Sequence, residues 1–461
     1  MLVDAEAYFA NLLDALQQAT RSILIIGWDF DAATRLNPNR SQTMGDLLGK
    51  LVENRSELEI RILIWNLAPL HAAGASLPLL LGQEWHDHPR IQLRLDNQHP
   101  IYGAQHQKIV SIDDSLGFVG GIDLTVGRWD TRAHLPSDPR RNKSDGQECA
   151  PVHDLQMAID GEAAAALAEV ARHRWTIATG DNVVPVSQAS EIWPSGLDPD
   201  FVDVRVGIAR TAPAWGKERQ IREVEALTLD ALAAARQSIY IEAQYFADSR
   251  IAPLLAKSLS QQTGPEIVVL VTQLTHGLLE HWIMGANRDR MIRRLMRADR
   301  YDRFRAYHPV ISGPDGECEI LIHSKLMIID DRLLRIGSSN LNRRSTGLDT
   351  ECDLVIESED AAQRHRIVGI RDGLLAEHLG VSPPAVSATN LAEGSLVKTI
   401  EALNGGPRRL SPFSSISRRG PVHMIPGTRF LDPCRPFRLL SFLTGHRRKS
   451  RRSISAEVSS D

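Results

Sequence analysis

Two segments of this chain carry the same reactive side chains at the same spacing. One is His106-Gln107-Lys108-Ile109-Val110-Ser111-Ile112-Asp113; the other is His323-Ser324-Lys325-Leu326-Met327-Ile328-Ile329-Asp330. Both read H-x-K-x-x-x-x-D. The chain holds 16 histidines and only eight lysines in 461 residues. Composition alone would therefore give the pattern about 0.02 times. Residues i and i+2 of a strand share a face, so each His projects with its Lys from an otherwise apolar run. An ammonium in such a place is costly unless it meets an anion. Two such strands facing across a two-fold axis would bring two imidazoles and two ammonium groups to one tetrahedral phosphodiester. The lysines would hold nonbridging oxygens as point charges. One histidine could attack phosphorus while the other protonates the leaving oxygen.

The elements that must position these motifs are themselves repeated. Residues 14–30 and 230–246 are identical at eight positions (Asp, Ala, Leu, Ala, Ser, Ile, Ile and Phe) at a constant offset of 216. Each stretch reads as a helix followed by an apolar strand. A second strand follows in each half, Leu58–Trp65 and Ile267–Thr272. The two H-x-K motifs, Gly120 with Gly337, and Leu124 with Leu341, then keep an offset of 217. A nearly constant offset over more than a hundred residues marks a duplication. Alternating helices and strands predict an α/β fold with a buried sheet in each half. Residues 1–195 and 196–385 are read as the two repeats, joined by the Pro- and Gly-containing linker Asp181–Asp200. Residues 386–461, after Pro383-Pro384, read as a basic Pro/Ser/Arg-rich tail with little regular structure.

Composition narrows the function. With 43% hydrophobic and 24% charged residues, the chain has globular proportions. The net charge of −4 divides into −13 over residues 1–407, +11 over Arg408–Arg452 and −2 over the last nine residues. An acidic body with a basic tail is not the profile of a duplex-DNA binder, so no nucleic-acid partner is expected. Cys149, Cys318, Cys352 and Cys434 form no CxxC pair, which fits reduced thiols in a cytosolic compartment. Met1-Leu2-Val3-Asp4-Ala5-Glu6 lacks the basic start of a secretory signal, and no apolar run is long enough to span a membrane. Basic residues alternating with Phe413, Ile416, Phe430, Phe437 and Phe442 suit an anionic lipid surface, so a peripheral membrane association is expected.

Both histidine motifs together resemble the signature of the phospholipase D superfamily, and the resemblance runs over nearly all of residues 5–380. Gly337-Ser338-Ser339-Asn340-Leu341-Asn342-Arg343-Arg344-Ser345, followed by Asp349-Thr350-Glu351, is similar to the family's G-S-x-N-x-N-x-R-S…D-x-E segment. Gly120-Gly121-Ile122-Asp123-Leu124 and Gly127-Arg128-Trp129-Asp130-Thr131 resemble segments of the eukaryotic-type phosphatidylcholine enzymes. So does Ile239-Tyr240-Ile241-Glu242-Ala243-Gln244-Tyr245-Phe246, with Ala243 in place of the usual Asn. Val152-His153-Asp154 resembles W-H-D, with Val in place of Trp. The resemblance implies two α/β sandwich halves about a pseudo-two-fold axis, with one active site between them. It implies a phosphohistidine mechanism in which His106 is the nucleophile and His323 the general acid and base.

Lys108, Lys325, Asn340 and Ser338 would bind the phosphoryl oxygens. A nucleophilic imidazole needs its other nitrogen fixed by an acceptor. Glu351 is the candidate for His106 and Asp154 for His323. Asp113 and Asp330, one strand-length past their histidines, are expected to brace the loop that follows. Trp28 is a candidate lining residue, and Gln244 a candidate substrate contact. Trp65 and Phe246 read as core, His276 and His281 as surface, His308 as a loop residue and Gly120-Gly121 as a turn. No cofactor or metal is required, because the lysines supply positive charge and no HExxH-type cluster appears. Water or a small alcohol would accept the phosphatidyl group, and one chain with two motifs could form a site as a monomer. The competing readings are a cardiolipin synthase-like transferase, a nuclease of the same superfamily, and a non-catalytic membrane scaffold.

A single composite site predicts that His106→Ala and His323→Ala each lower phosphodiester turnover by at least ~10³-fold. Half of the activity surviving in either variant would instead indicate two independent sites.

Overall fold

A computed structural model describes residues 1–66, 88–142, 146–187, 191–273, 284–314, 316–428 and 432–436. His276, His281, Phe430, Phe437 and Phe442 lie outside these residues. The two halves carry the same sheet. In the first half the strand order is Leu2–Val3, Leu155–Asp160, Leu116–Gly120, Ile109–Ile112, Ser22–Gly27, Glu59–Trp65, Ile91–Asp96. In the second it is Gly207–Ala212, Glu351–Glu357, Leu333–Gly337, Lys325–Ile329, Ser238–Ala243, Glu266–Val271, Phe304–Gly313, with a further short strand at each end. The last three strands named in each are parallel and the rest antiparallel. Even the register repeats: Ile23 faces Ile112, and Ile239 faces Ile329. The structure is thus the duplicated α/β arrangement expected from the offsets.

Strand periodicity explains the layers. Ile23 and Ile25 point into an outer core with the helices Asp4–Gln18 and Met44–Asn54, whereas Leu24 and Ile26 point inward. In the second half Met327 and Ile329 face an outer core with the helices Glu223–Ala234, Ile251–Ser260 and Ala286–Ala298, while Leu326 and Ile328 face inward. The inward residues of both sheets, with the helices Gly161–Thr179 and Ala361–Leu379, make one shared central core. The two repeats therefore fold against each other rather than as separate globules.

Three expectations are corrected. The tail is not without structure. Pro383–Glu393 and Leu396–Leu403 are helices, and Arg408–Pro412 pairs with Phe304–Gly313. Pro383 opens its helix at the first turn, where a missing N–H costs nothing, rather than breaking it. His308 is not a loop residue: it lies in the strand Phe304–Gly313, buried, with its ring 5.2 Å from that of Phe413. The motif aspartates brace a loop, but not the one after them. Asp113 accepts from the backbone N–H groups of Thr20, Arg21 and Ser22 and from the Thr20 hydroxyl, at 2.7–2.8 Å. Asp330 accepts from the N–H groups of Arg236, Gln237 and Ser238 at 2.6–2.9 Å. Each thus pins the turn that feeds the strand next to its own motif. Each sits at positive φ, 49° and 52°, in the left-handed region that Asp tolerates.

Asp113→Ala and Asp330→Ala should each cost about 2 kcal/mol, because three backbone donors lose a charged acceptor. A lowered urea midpoint with activity retained per folded molecule is expected. An unchanged midpoint with lost activity would make these residues chemical participants.

Candidate active site

The strands carrying the motifs begin at Ile109 and Lys325, so both histidines lie just before them. The reason is an exchange across the dyad. The His106 backbone N–H donates to Thr350 O at 3.1 Å, and that of His323 to His153 O at 2.8 Å. Each acceptor directly precedes a carboxylate of the opposite half. His106 Nδ1 lies 3.0 Å from Glu351 Oε2, and His323 Nδ1 lies 2.6 Å from Asp154 Oδ2. In both pairs Nδ1 is engaged and Nε2 is left for chemistry. Glu351 and Asp154 occupy corresponding places, two residues before Asp353 and Gln156, which pair with Gly337 and Gly120. Glycine is required beside Asp154: a Cβ on Gly121 would stand 2.1 Å from its Oδ1.

The lysines are almost fully buried. Lys108 Nζ lies 3.1 Å from Asp123 Oδ2 and donates to His106 O. Lys325 Nζ donates to Gln244 Oε1 at 3.3 Å and to His323 O. Burial dominates the electrostatics. It pushes the pKa of His106 well below the ordinary value, helped by Lys108 and Lys325. It does the same to His323, helped by Lys325 and Arg128. It pushes Glu351 up to about 8, raises Asp154, and holds Lys325 down at about 7. Each His–carboxylate pair is driven to share one proton.

The remaining candidates sort by contact. Gln244 touches Lys325. Trp28 lies against Trp65, with ring centroids 5.7 Å apart, and its backbone N–H donates to Asp123 Oδ1 at 3.0 Å. Phe246 is core. Asn340 is buried, and its Oδ1 has no hydrogen-bond partner among the described residues. Ser338 is a correction. It donates to Glu351 Oε2 at 2.5 Å and accepts from Cys352 N–H at 3.0 Å. Its hydroxyl is used within the protein, so it positions Glu351 rather than binding phosphate. Sequence reasoning missed Asp123 as the partner of Lys108. It also missed Arg128, whose charge reaches His323, Lys325 and Asp154. Both stand in quoted motif segments. The signal was the repeat itself, since Asp123 corresponds to Asn340.

The chain is similar to known proteins. A family model described as "Cardiolipin synthase, PLD-like domain" matches residues 228–367. The chain is 24% identical over 460 residues to Phospholipase D A of Dictyostelium discoideum, covering 83% of this chain and 36% of that one. It is 23% identical over 517 residues to Phospholipase D alpha 2 of rice (Oryza sativa subsp. japonica), covering 80% and 63%. The chain thus spans between about a third and two thirds of the length of these relatives. Its fold is similar to that of phosphatidylserine synthase from Haemophilus influenzae, with a TM-score of 0.52 at 15% identity, covering 82% of this chain and 86% of that one.

Tungstate, a phosphate mimic, should bind here and raise Tm. Its affinity should weaken about tenfold per pH unit as pH rises above about 7, because Lys325 must regain a proton to meet the anion. Glu351, Asp154, Lys108 and Arg128 surround the same anion, so Lys325→Arg, which stays charged, isolates the lysine by flattening the dependence. A flat profile from pH 6 to 9 in the wild type would contradict this assignment.

Proposed function

We propose, from the premise that this chain belongs to the phospholipase D superfamily, that it is a phosphodiesterase acting on a glycerophospholipid, with phosphatidylcholine the first substrate to test. The observation that carries the reading is the crossed pairing of His106 with Glu351 and His323 with Asp154, flanked by two buried lysines. His106 Nε2 attacks phosphorus as the bond to the headgroup oxygen breaks, and His323 gives that oxygen a proton. Glu351 holds the Nδ1 proton of His106 and stabilises the positive charge the ring acquires. Lys108, Lys325 and the Asn340 amide hold the nonbridging oxygens. In the second step His323 takes a proton from water or an alcohol, whose oxygen attacks phosphorus. The N–P bond breaks, its electron pair returns to His106, and phosphatidic acid or a new phosphatidyl ester leaves.

Three observations favour a lipid. Exposed Ile101 and Tyr102 stand a few residues before His106. Trp28 is partly exposed and adjoins Asp123, the partner of Lys108. The −13 body disfavours a nucleic-acid track. Among the described residues no helix is long and apolar enough to cross a membrane. A transferase of the cardiolipin synthase kind would use the same phosphatidyl-histidine with a lipid alcohol as acceptor.

Incubation with phosphatidylcholine and a little ethanol should yield phosphatidylethanol, seen by mass spectrometry, and neither histidine variant should make it. Phosphatidic acid alone would restrict the acceptor to water. Neither product from any common phospholipid, with a DNA substrate cleaved instead, would overturn the lipid reading.

A further inference from the structure

Below the His323 motif lies a second cluster that the proposed reaction does not use. Asp4, His134, His153 and Glu377 converge from four separate segments, fully or almost fully buried, with one candidate ligand atom from each within 4.8 Å of the others. His134 Nε2 lies 3.0 Å from Glu377 Oε1 and 3.3 Å from Asp4 Oδ2. His153 Nδ1 lies 2.9 Å from Glu377 Oε1 and 3.1 Å from Asp4 Oδ1. Close as these approaches are, neither His153 Nδ1 nor Asp4 Oδ2 has hydrogen-bond geometry to any partner among the described residues, and both are buried.

The outer nitrogens of both rings are fixed by further carboxylates. His134 Nδ1 is 2.9 Å from Asp130 Oδ2, and His153 Nε2 is 3.0 Å from Glu242 Oε2. Those carboxylates are themselves held: Asp130 by Arg141 at 3.0 Å, and Glu242 by the Tyr240 and Ser324 hydroxyls at 2.6 and 2.9 Å. A carboxylate on the outer nitrogen turns the inner lone pair toward the centre, as in carboxylate–histidine–metal triads.

We propose that Asp4, His134, His153 and Glu377 form a structural transition-metal site, with Zn²⁺ the fitting ion. Two imidazole nitrogens and two carboxylate oxygens suit Zn²⁺ rather than Ca²⁺ or Mg²⁺, which prefer more oxygen ligands. A tetrahedral Zn²⁺ spaces its N and O ligands roughly 3.3 Å apart, close to the separations here. The two ligand carboxylates cancel the ion's charge, and Arg141 offsets Asp130 behind His134. The site joins the first repeat to the helix Ala361–Leu379 of the second. It also borders the catalytic pair: Asp4 N–H donates to Asp154 O at 2.9 Å, and His153 O accepts the His323 N–H. Short-spaced motifs could not reveal it, because its ligands stand at 4, 134, 153 and 377.

The full-length protein, purified without chelator, should carry about one equivalent of zinc by elemental analysis. Zinc removed with a strong chelator should lower Tm, and returning Zn²⁺ alone should restore it. Co²⁺ in its place should give the intense visible absorption of a tetrahedral centre. His134→Gln should lose the metal while wild-type zinc content stays stoichiometric, which separates this site from surface histidines. Should that variant not fold, the Co²⁺ spectrum of the wild type still decides. Less than about a tenth of an equivalent of any transition metal, a Tm indifferent to Zn²⁺ and no tetrahedral Co²⁺ band would overturn the proposal, leaving the cluster as protonated histidines paired with carboxylates. Because these readouts need no turnover, they stand or fall apart from the reaction proposed above.

Discussion

Each motif imidazole is held by a carboxylate from the other repeat, and the geometry of the seam between the repeats depends on that exchange. Neither half can aim its own histidine. His106 meets Glu351 and His323 meets Asp154, and each pairing is doubled by a backbone bond one residue away. These backbone bonds pull the histidines out of their own sheets and into the seam. The large apolar core shared by the two sheets supplies the cohesion that keeps the seam closed. Duplication alone would give two half-sites; the crossed pairs make them one.

Burying this much charge has a cost that the substrate is suited to offset. Two lysines, two histidines and two carboxylates sit where water is scarce, and burial is the largest influence on every resolved shift among them. Their proton affinities are displaced toward neutrality: imidazoles and Lys325 downward, carboxyls upward. On the proposed reading, a phosphodiester anion would reverse that pressure by favouring protonated Lys325 and a charged His323. The barrier would then be lowered by charges already in place rather than by reorganisation.

Much of this was legible in the sequence. The offsets of 216 and 217 carry the sheet order, since identical patterns of apolar alternation fold to identical registers. The H-x-K spacing carries the reactive groups. The assignments of Glu351 and Asp154 came from resemblance, and the geometry supplies their physical reason. What stayed hidden was long-range. Ser338 reads as a phosphate ligand until Glu351 and Cys352 are seen to use its hydroxyl. Asp113 and Asp330 read as braces, but only the fold shows that the braced turns precede the neighbouring strands. The residues after Pro383-Pro384 read as a tail with little regular structure, although proline at a first turn can start a helix. The Asp4–His134–His153–Glu377 cluster has no local signature at all.

The central claim is that the two crossed pairs form one site with distinct roles, His106 as nucleophile and His323 as proton donor. Rapid quenching of turnover with a phosphodiester substrate, followed by peptide mapping of the acid-labile adduct, tests it most directly. The account predicts a phosphoryl adduct on His106 alone, formed more slowly when Glu351 is replaced by Gln. An adduct on His323, or on both histidines, would contradict it.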